Sequence, residues 1–195
     1  VNRHDFGSWS MGGGTAMSRG RWSSASNVIL AESSYLNVAL EATIVTSTRQ
    51  LVVEVEVYYT GDSPEPTNKL NLAILQNNVY GPQSGGGAGN NYKHMHMLRH
   101  LMTGQWGIEL TQTSAGSFYS NTFAYELPLD YNGVDLVLDN LEIIAFVAET
   151  TQEIISGNSA GDITFVESND YDAAITSVIA PQTYCFDELT PTVNL

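Results

Sequence analysis

Residues 49–60 read RQLVVEVEVYYT, and this stretch decides the fold. Val53, Val55, Val57 and Tyr59 recur at every second position, so they share one face of an extended chain. The density of β-branched residues supports a strand with one buried side. Just upstream, residues 35–47 (YLNVALEATIVTS) alternate apolar with polar or small residues in the same way. Downstream, residues 70–76 (LNLAILQ) read as a further strand, and residues 141–150 (LEIIAFVAET) as a buried one that residues 152–156 pair with or continue. Between positions 118 and 127 aromatic and polar residues alternate. Turn chemistry separates these runs: GDSPEPTN at 61–68, NNVYGPQ at 77–83 and the loose SGGGAGNN at 84–91.

No stretch longer than about ten residues keeps a 3.6-residue period, so no helix is expected. Short strands separated by turns predict an all-β chain, an antiparallel β-sandwich or jelly roll. Residues 1–27 are Gly/Ser-rich and read as an irregular lead-in, and residues 28–162 as the sandwich domain. Residues 163–172 (ITFVESNDYD) read as a linker, and a new strand pattern starts at 173–195. Pieces of neighbouring domains are thus expected at both ends.

Composition narrows the function. Seven Lys and Arg against 21 Asp and Glu give a formal charge of −14, which repels phosphate backbones and excludes nucleic acid as a partner. Hydrophobic residues make up 43% of the chain, enough for a core, while only 14% are charged. Ser, Thr, Asn and Gly carry the remaining polarity, as in many secreted β-proteins. No apolar run approaches the roughly 20 residues that cross a bilayer. The opening VNRHDFGSWS has no apolar core of a signal peptide. The single cysteine, Cys185, has no partner within the chain.

Residues 92–107, YKHMHMLRHLMTGQWG, hold three of the four histidines beside an arginine and a tryptophan. As a strand, 94–101 would put His94, His96, Leu98 and His100 on one face, with successive imidazoles about 7 Å apart. Two such rings can share a transition metal; a helix would instead pair His96 with His100 at the i, i+4 spacing of helical zinc sites. Histidine also serves architecture, donating to a loop carbonyl and packing on an aromatic ring. Trp106, Tyr92 and Tyr80 are the expected packing partners. Arg99 is expected to pair with an acidic side chain or to cap loop carbonyls and organise the adjacent glycine-rich loop.

Other constellations are weaker. The glycine-rich loop lacks the Lys-Ser/Thr of a phosphate loop. GDSPEP, SNDYDAA and GNSAGD gather acids that could hold Ca2+, without the spacing of a calcium loop. No GxSxG elbow is present, and His4-Asp5 reads as incidental. Glu54 and Glu56 read as a solvated strand face rather than paired catalytic acids. Trp9, Trp22, Tyr58, Tyr59 and Trp106 could build a sugar-stacking surface, but are expected in the core.

The order of motifs resembles the Bacteroidetes outer-membrane-protein-related family founded on a 28-kilodalton surface lipoprotein. The resemblance lies in the Q-N-x-V-x-G-x-Q turn at 76–83, the Y-x-H-x-H-x-L-R segment at 92–99 and the G-x-W-G at 104–107, and it spans residues 35–155. It implies that Tyr92, His94, His96, Arg99 and Trp106 form a structural motif. It also implies that the lead-in is the end of a thioredoxin-like domain and that residues 173–195 begin an immunoglobulin-like or adhesin-like repeat. The opening VNR is similar to the strand after the cis-proline of such a domain. The CxxC of that domain is absent, so no redox activity is implied.

Three functions remain open. The leading expectation is a non-catalytic structural and interaction module of a cell-surface or secreted multidomain protein. It would be lipid-anchored outside the outer membrane or released, and would contact neighbouring domains, other surface proteins or glycans, with no cofactor. Next come a carbohydrate- or calcium-binding module and a metal-dependent enzyme built on His94, His96 and His100.

Overall fold

The computed structural model describes residues 2–12, 14–85, 87–167, 177–179 and 192–194. Strands run in the order β1 (Leu36–Val45), β2 (Gln50–Tyr59), β3 (Asn68–Gln76), β4 (Val79–Gly81), β5 (Tyr92–His94), β6 (Met97–Leu101) and β7 (Ile108–Leu110). They continue with β8 (Phe118–Glu126), β9 (Asp130–Tyr131), β10 (Val134–Asp135), β11 (Leu141–Glu149), β12 (Ile154–Ser159) and β13 (Thr164–Val166). One sheet has the order β13-β1-β2-β8; the facing sheet has the order β12-β11-β3-β6, with β7 also on β3. Pairing is antiparallel except for β13, which lies parallel to β1. The expected all-β sandwich is the observed one.

The alternation in β1 and β2 sets their register. Leu36, Val38 and Leu40 pair with Tyr59, Val57 and Val55, and all of these are buried. Leu51 joins the inward row, completely buried beside Val53. From the other sheet Leu70, Leu72, Ile74, Ile143, Ala145 and Val147 meet them in one core. Fully burying side chains of this size stabilises the fold by about 1.5–3 kcal/mol each before chain entropy is counted. The other face of β1 and β2 is wet: Glu41 and Glu54 sit directly opposite each other, an arrangement that costs energy unless water screens it.

One polar pin crosses the core. The Tyr59 hydroxyl donates to Asn68 Oδ1 at 2.9 Å, linking β2 to β3, and Asn68 Nδ2 donates to Ser63 Oγ at 3.0 Å. Burial pushes the Tyr59 hydroxyl up to about 12. Tyr35 stacks against the Tyr59 ring and donates to Glu149 at 2.7 Å, so the pin continues towards β11.

The ends depart from the sequence expectation. A helix, α1 (Trp22–Leu30), crosses the expected boundary between lead-in and sandwich and buries only Ala25, and Asn2 and Arg3 form a turn at positive φ rather than a strand. Residues 164–166, expected in the linker, are the sheet strand β13. Beyond residue 167, β14 (Ser177–Ile179) pairs antiparallel with β15 (Thr192–Asn194). Residues 168–172 of the linker, most of the expected repeat, the acidic SNDYDAA and Cys185 lie outside the described residues.

Candidate functional site: the histidine corner

Alternation at 92–101 suggests one strand, but the chain is interrupted. β5 pairs with β4, the backbone breaks at Met95 and His96, and β6 then pairs with β3 in the main sheet. His96 takes the left-handed conformation, φ 52, uncommon for a residue with a Cβ. Two contacts fix it there. The His96 N–H donates to Asn77 Oδ1 at 2.8 Å, and its ring Nδ1 lies 2.6 Å from Glu142 Oε2 on β11.

The two sequence motifs at 76–83 and 92–99 therefore grip each other. Asn77 holds the backbone of His96, Val79 pairs with His94, and Gly81 pairs with Tyr92. A Cβ on Gly81 would sit 3.6 Å from the His94 ring, so the imidazole packs over that glycine. His94 also meets the Tyr92 ring edge-on, with centroids 4.8 Å apart.

The third histidine belongs to a different cluster. His100 faces the opposite sheet and stacks on Tyr125 of β8, centroids 4.3 Å apart, with Tyr131 beyond at 6.3 Å. The two tyrosine hydroxyls are 3.0 Å from each other. Burial holds the His100 ring below its ordinary pKa, and burial with the Tyr125 contact raises that of Tyr131. The stack closes one open side of the sandwich, where the edge strands β6 and β8 face each other.

Arg99 is the extra residue of a β-bulge, between Leu98 and His100, which pair with the adjacent Leu75 and Ile74. Its guanidinium lies over the Tyr131 ring at 5.2 Å, and Nη2 donates to the Val134 carbonyl at 2.6 Å. The carbonyl-capping expectation thus describes its contact, and among the described residues it makes no salt bridge. The loop it organises is the β9–β10 hairpin rather than the glycine-rich one. Arg49, which the sequence did not single out, completes this clasp by donating to the carbonyls of Leu127, Pro128 and Leu136 at 2.8–3.0 Å.

Trp106 is 57% exposed, so it is not the expected packing partner of a histidine. In its motif the buried demand falls on the next residue. Gly107 has φ 73, and a Cβ there would lie 2.5 Å from the Leu70 carbonyl, so only glycine lets this turn close onto β3. Of the aromatic residues expected in the core, Tyr59 is there, while Trp22, Tyr58 and Trp106 are exposed. His4 meets Glu153 at 2.6 Å rather than Asp5, and Asp5 accepts from Gly7 N–H and the Ser10 hydroxyl.

The histidines are therefore divided among Tyr92, Glu142 and the Tyr125–Tyr131 stack. Among the described residues no group of three or more His, Cys, Asp or Glu side chains is placed to hold a metal ion. No helix among them is long and apolar enough to cross a membrane.

Comparison with known proteins gives this geometry a context. The family model described as outer membrane protein Omp28 matches residues 14–160. Among solved structures, HBP35 of Porphyromonas gingivalis is 15% identical with a TM-score of 0.63, covering 95% of this chain. The chain spans only 59% of that protein's length. A domain of the outer membrane lipoprotein Omp28 from Porphyromonas gingivalis is 20% identical with a TM-score of 0.47, covering 69% of this chain and 92% of that one. No curated protein matches. The likeness to HBP35 is one of fold.

Proposed function

The chain belongs to the Omp28 outer membrane protein family, and from that premise we propose that it is a non-catalytic structural and interaction module. It works within a multidomain protein on the extracellular face of the outer membrane or released from it. The observation that carries the reading is the use made of the motif. His94, His96, His100 and Arg99 are each committed to a glycine, a carboxylate, a tyrosine stack or a carbonyl of the scaffold. The metal-enzyme alternative needs those imidazoles together, and they are divided. That the chain spans 59% of the HBP35 structure supports a module flanked by other domains, which are then its first partners.

Antibody labelling of cells that make the full-length protein tests the placement. Intact cells are expected to label through the sandwich; labelling only after permeabilisation would overturn an extracellular site.

A second reading, glycan binding, is favoured by one feature of the wet sheet face. Tyr58 and Phe118 are cross-strand neighbours, 46% and 55% exposed. Beside them Glu41, Glu54, Glu56, Ser120 and Thr122 line a shallow depression of about 250 Å³. Aromatic faces stack on sugar rings, and carboxylates accept from their hydroxyls. Glycan-array binding lost in both Tyr58→Ala and Phe118→Ala would establish this reading; an array without binding would remove it.

A further inference from the structure

Asn121 and Asn158 each break the pattern of the strand that carries them. β8 turns Tyr119, Phe123 and Tyr125 against the core, and alternation places Asn121 in the same row, although its side chain is exposed. On β12, Asn158 pairs with the buried Ala145 and so falls in the inward row, although it too is exposed. Both strands are sheet edges.

Ladder parity shows what the two amides do. The Tyr59 N–H donates to the Ser117 carbonyl and the Leu127 N–H to that of Arg49, so odd-numbered residues of β8 bond to β2. The N–H groups of Ser120, Thr122 and Ala124 then point away from the sheet. On β12, the Ala160 N–H donates to the Ile143 carbonyl, which turns the N–H of Ser159 outward. The outward donor beside each asparagine is covered by it. Thr122 N–H donates to Asn121 Oδ1 at 3.0 Å, and Ser159 N–H to Asn158 Oδ1 at 2.9 Å. The other end of the Asn158 amide donates to the Val38 carbonyl at 3.2 Å, which fixes its orientation.

An edge strand offers a row of unpaired backbone groups to any second chain, and proteins usually blunt it with lysine, proline or a bulge. β6 has its bulge at Arg99, and β12 has one at Ile155 with the Asn2 carbonyl accepting from Ile154 N–H beside it. β8 has none of these: its nine residues, FYSNTFAYE, carry a single charge at the last position. We infer that Asn121 and Asn158 are edge guards, each occupying one outward N–H and placing an amide in the inward row, so that a second copy of this chain cannot add a strand to β8 or β12. An added strand would have to displace the side-chain oxygen and leave the amide facing its own apolar row.

Amide exchange on the unmodified chain tests this first. After correction for intrinsic rates, Thr122 should exchange about fivefold more slowly than Ser120 and Ala124 on the same edge, the order expected of one net hydrogen bond. Equal rates would overturn the role of Asn121. Light scattering over a concentration series then compares two variants. Asn121→Val with Asn158→Val should associate, while Asn121→Asp, which keeps the oxygen that accepts from Thr122 N–H, should match the parent. A valine variant as monomeric as the parent, or a parent that itself gains protection at Ser120 and Ala124 on concentration, would overturn the proposal. If the valine variant does not fold, the exchange rates of the parent decide.

Discussion

β2 and residues 92–101 are equally long, and each alternates, with apolar residues at every second position of β2 and histidine at three of the five even positions of 92–101, yet only β2 is a continuous strand. In β2 the repeated residues are apolar, and every one from Leu51 to Tyr59 is buried. A slip of one residue would carry that whole row into water, so the register is fixed by the core. In residues 92–101 the repeated residue is histidine, which gains little from sharing a face. Its gains are local: a tyrosine edge, a carboxylate and a stack, lying in different directions. The backbone bends at His96 to satisfy each of them. Alternation specifies a strand when burial rewards it.

The largest effect that would test this contrast is in the core. Leu51→Ala should cost about 2–5 kcal/mol of unfolding free energy in denaturant titration, because the site is enclosed by both sheets. A loss below about 1 kcal/mol would mean that the β2 row does not set the register. Next, Gly107→Ala forces a Cβ against the Leu70 carbonyl at positive φ and should cost about 1–3 kcal/mol. An unchanged melting temperature would show that the turn closes without glycine.

Smaller effects belong to the corner itself. His96→Ala removes an exposed ring contact with Glu142 and should lower stability by roughly 0.2–1 kcal/mol. His96→Gly should recover part of that loss, since glycine takes φ 52 freely. Equal stability of the parent and the alanine variant would refute the anchoring role.

The smallest effect shows in a pH profile. Burial lowers the His100 pKa from 6.5, so the folded chain binds fewer protons there than the unfolded one. That contribution is present above pH 6.5 and is lost as pH falls through the folded pKa. His100→Gln should flatten this part of the profile, and an identical slope in both proteins would contradict the buried stack.

Much of the sandwich was legible because its strands carry their own burial pattern. β1, β2, β3, β8 and β11 all follow runs read from the sequence. α1 was not, since nine serine-rich residues are too few to establish a 3.6-residue period, even with Trp22, Ala25 and Ile29 on one face. β13 was hidden by the acidic stretch that follows it and is recruited by the edge of β1. In the corner, the sequence identified Tyr92, His94, His96 and Arg99 but not their partners. Glu142 lies 46 residues along the chain from His96, and Val134 lies 35 from Arg99, so no local pattern joins them. Arg49 was missed for the same reason: its carbonyls come from residues 127–136, which only the folded sheet brings near.

The central claim is that the histidine motif is architecture, and thermal unfolding of the untagged chain with chelator or with added Zn2+ tests it most directly. A metal bound only by the folded chain would raise its stability by mass action. The account predicts the same melting temperature in both conditions, and a lower one for a His94→Ala/His96→Ala variant whether or not metal is present. A zinc-dependent rise in the parent that the double variant lacks would contradict it.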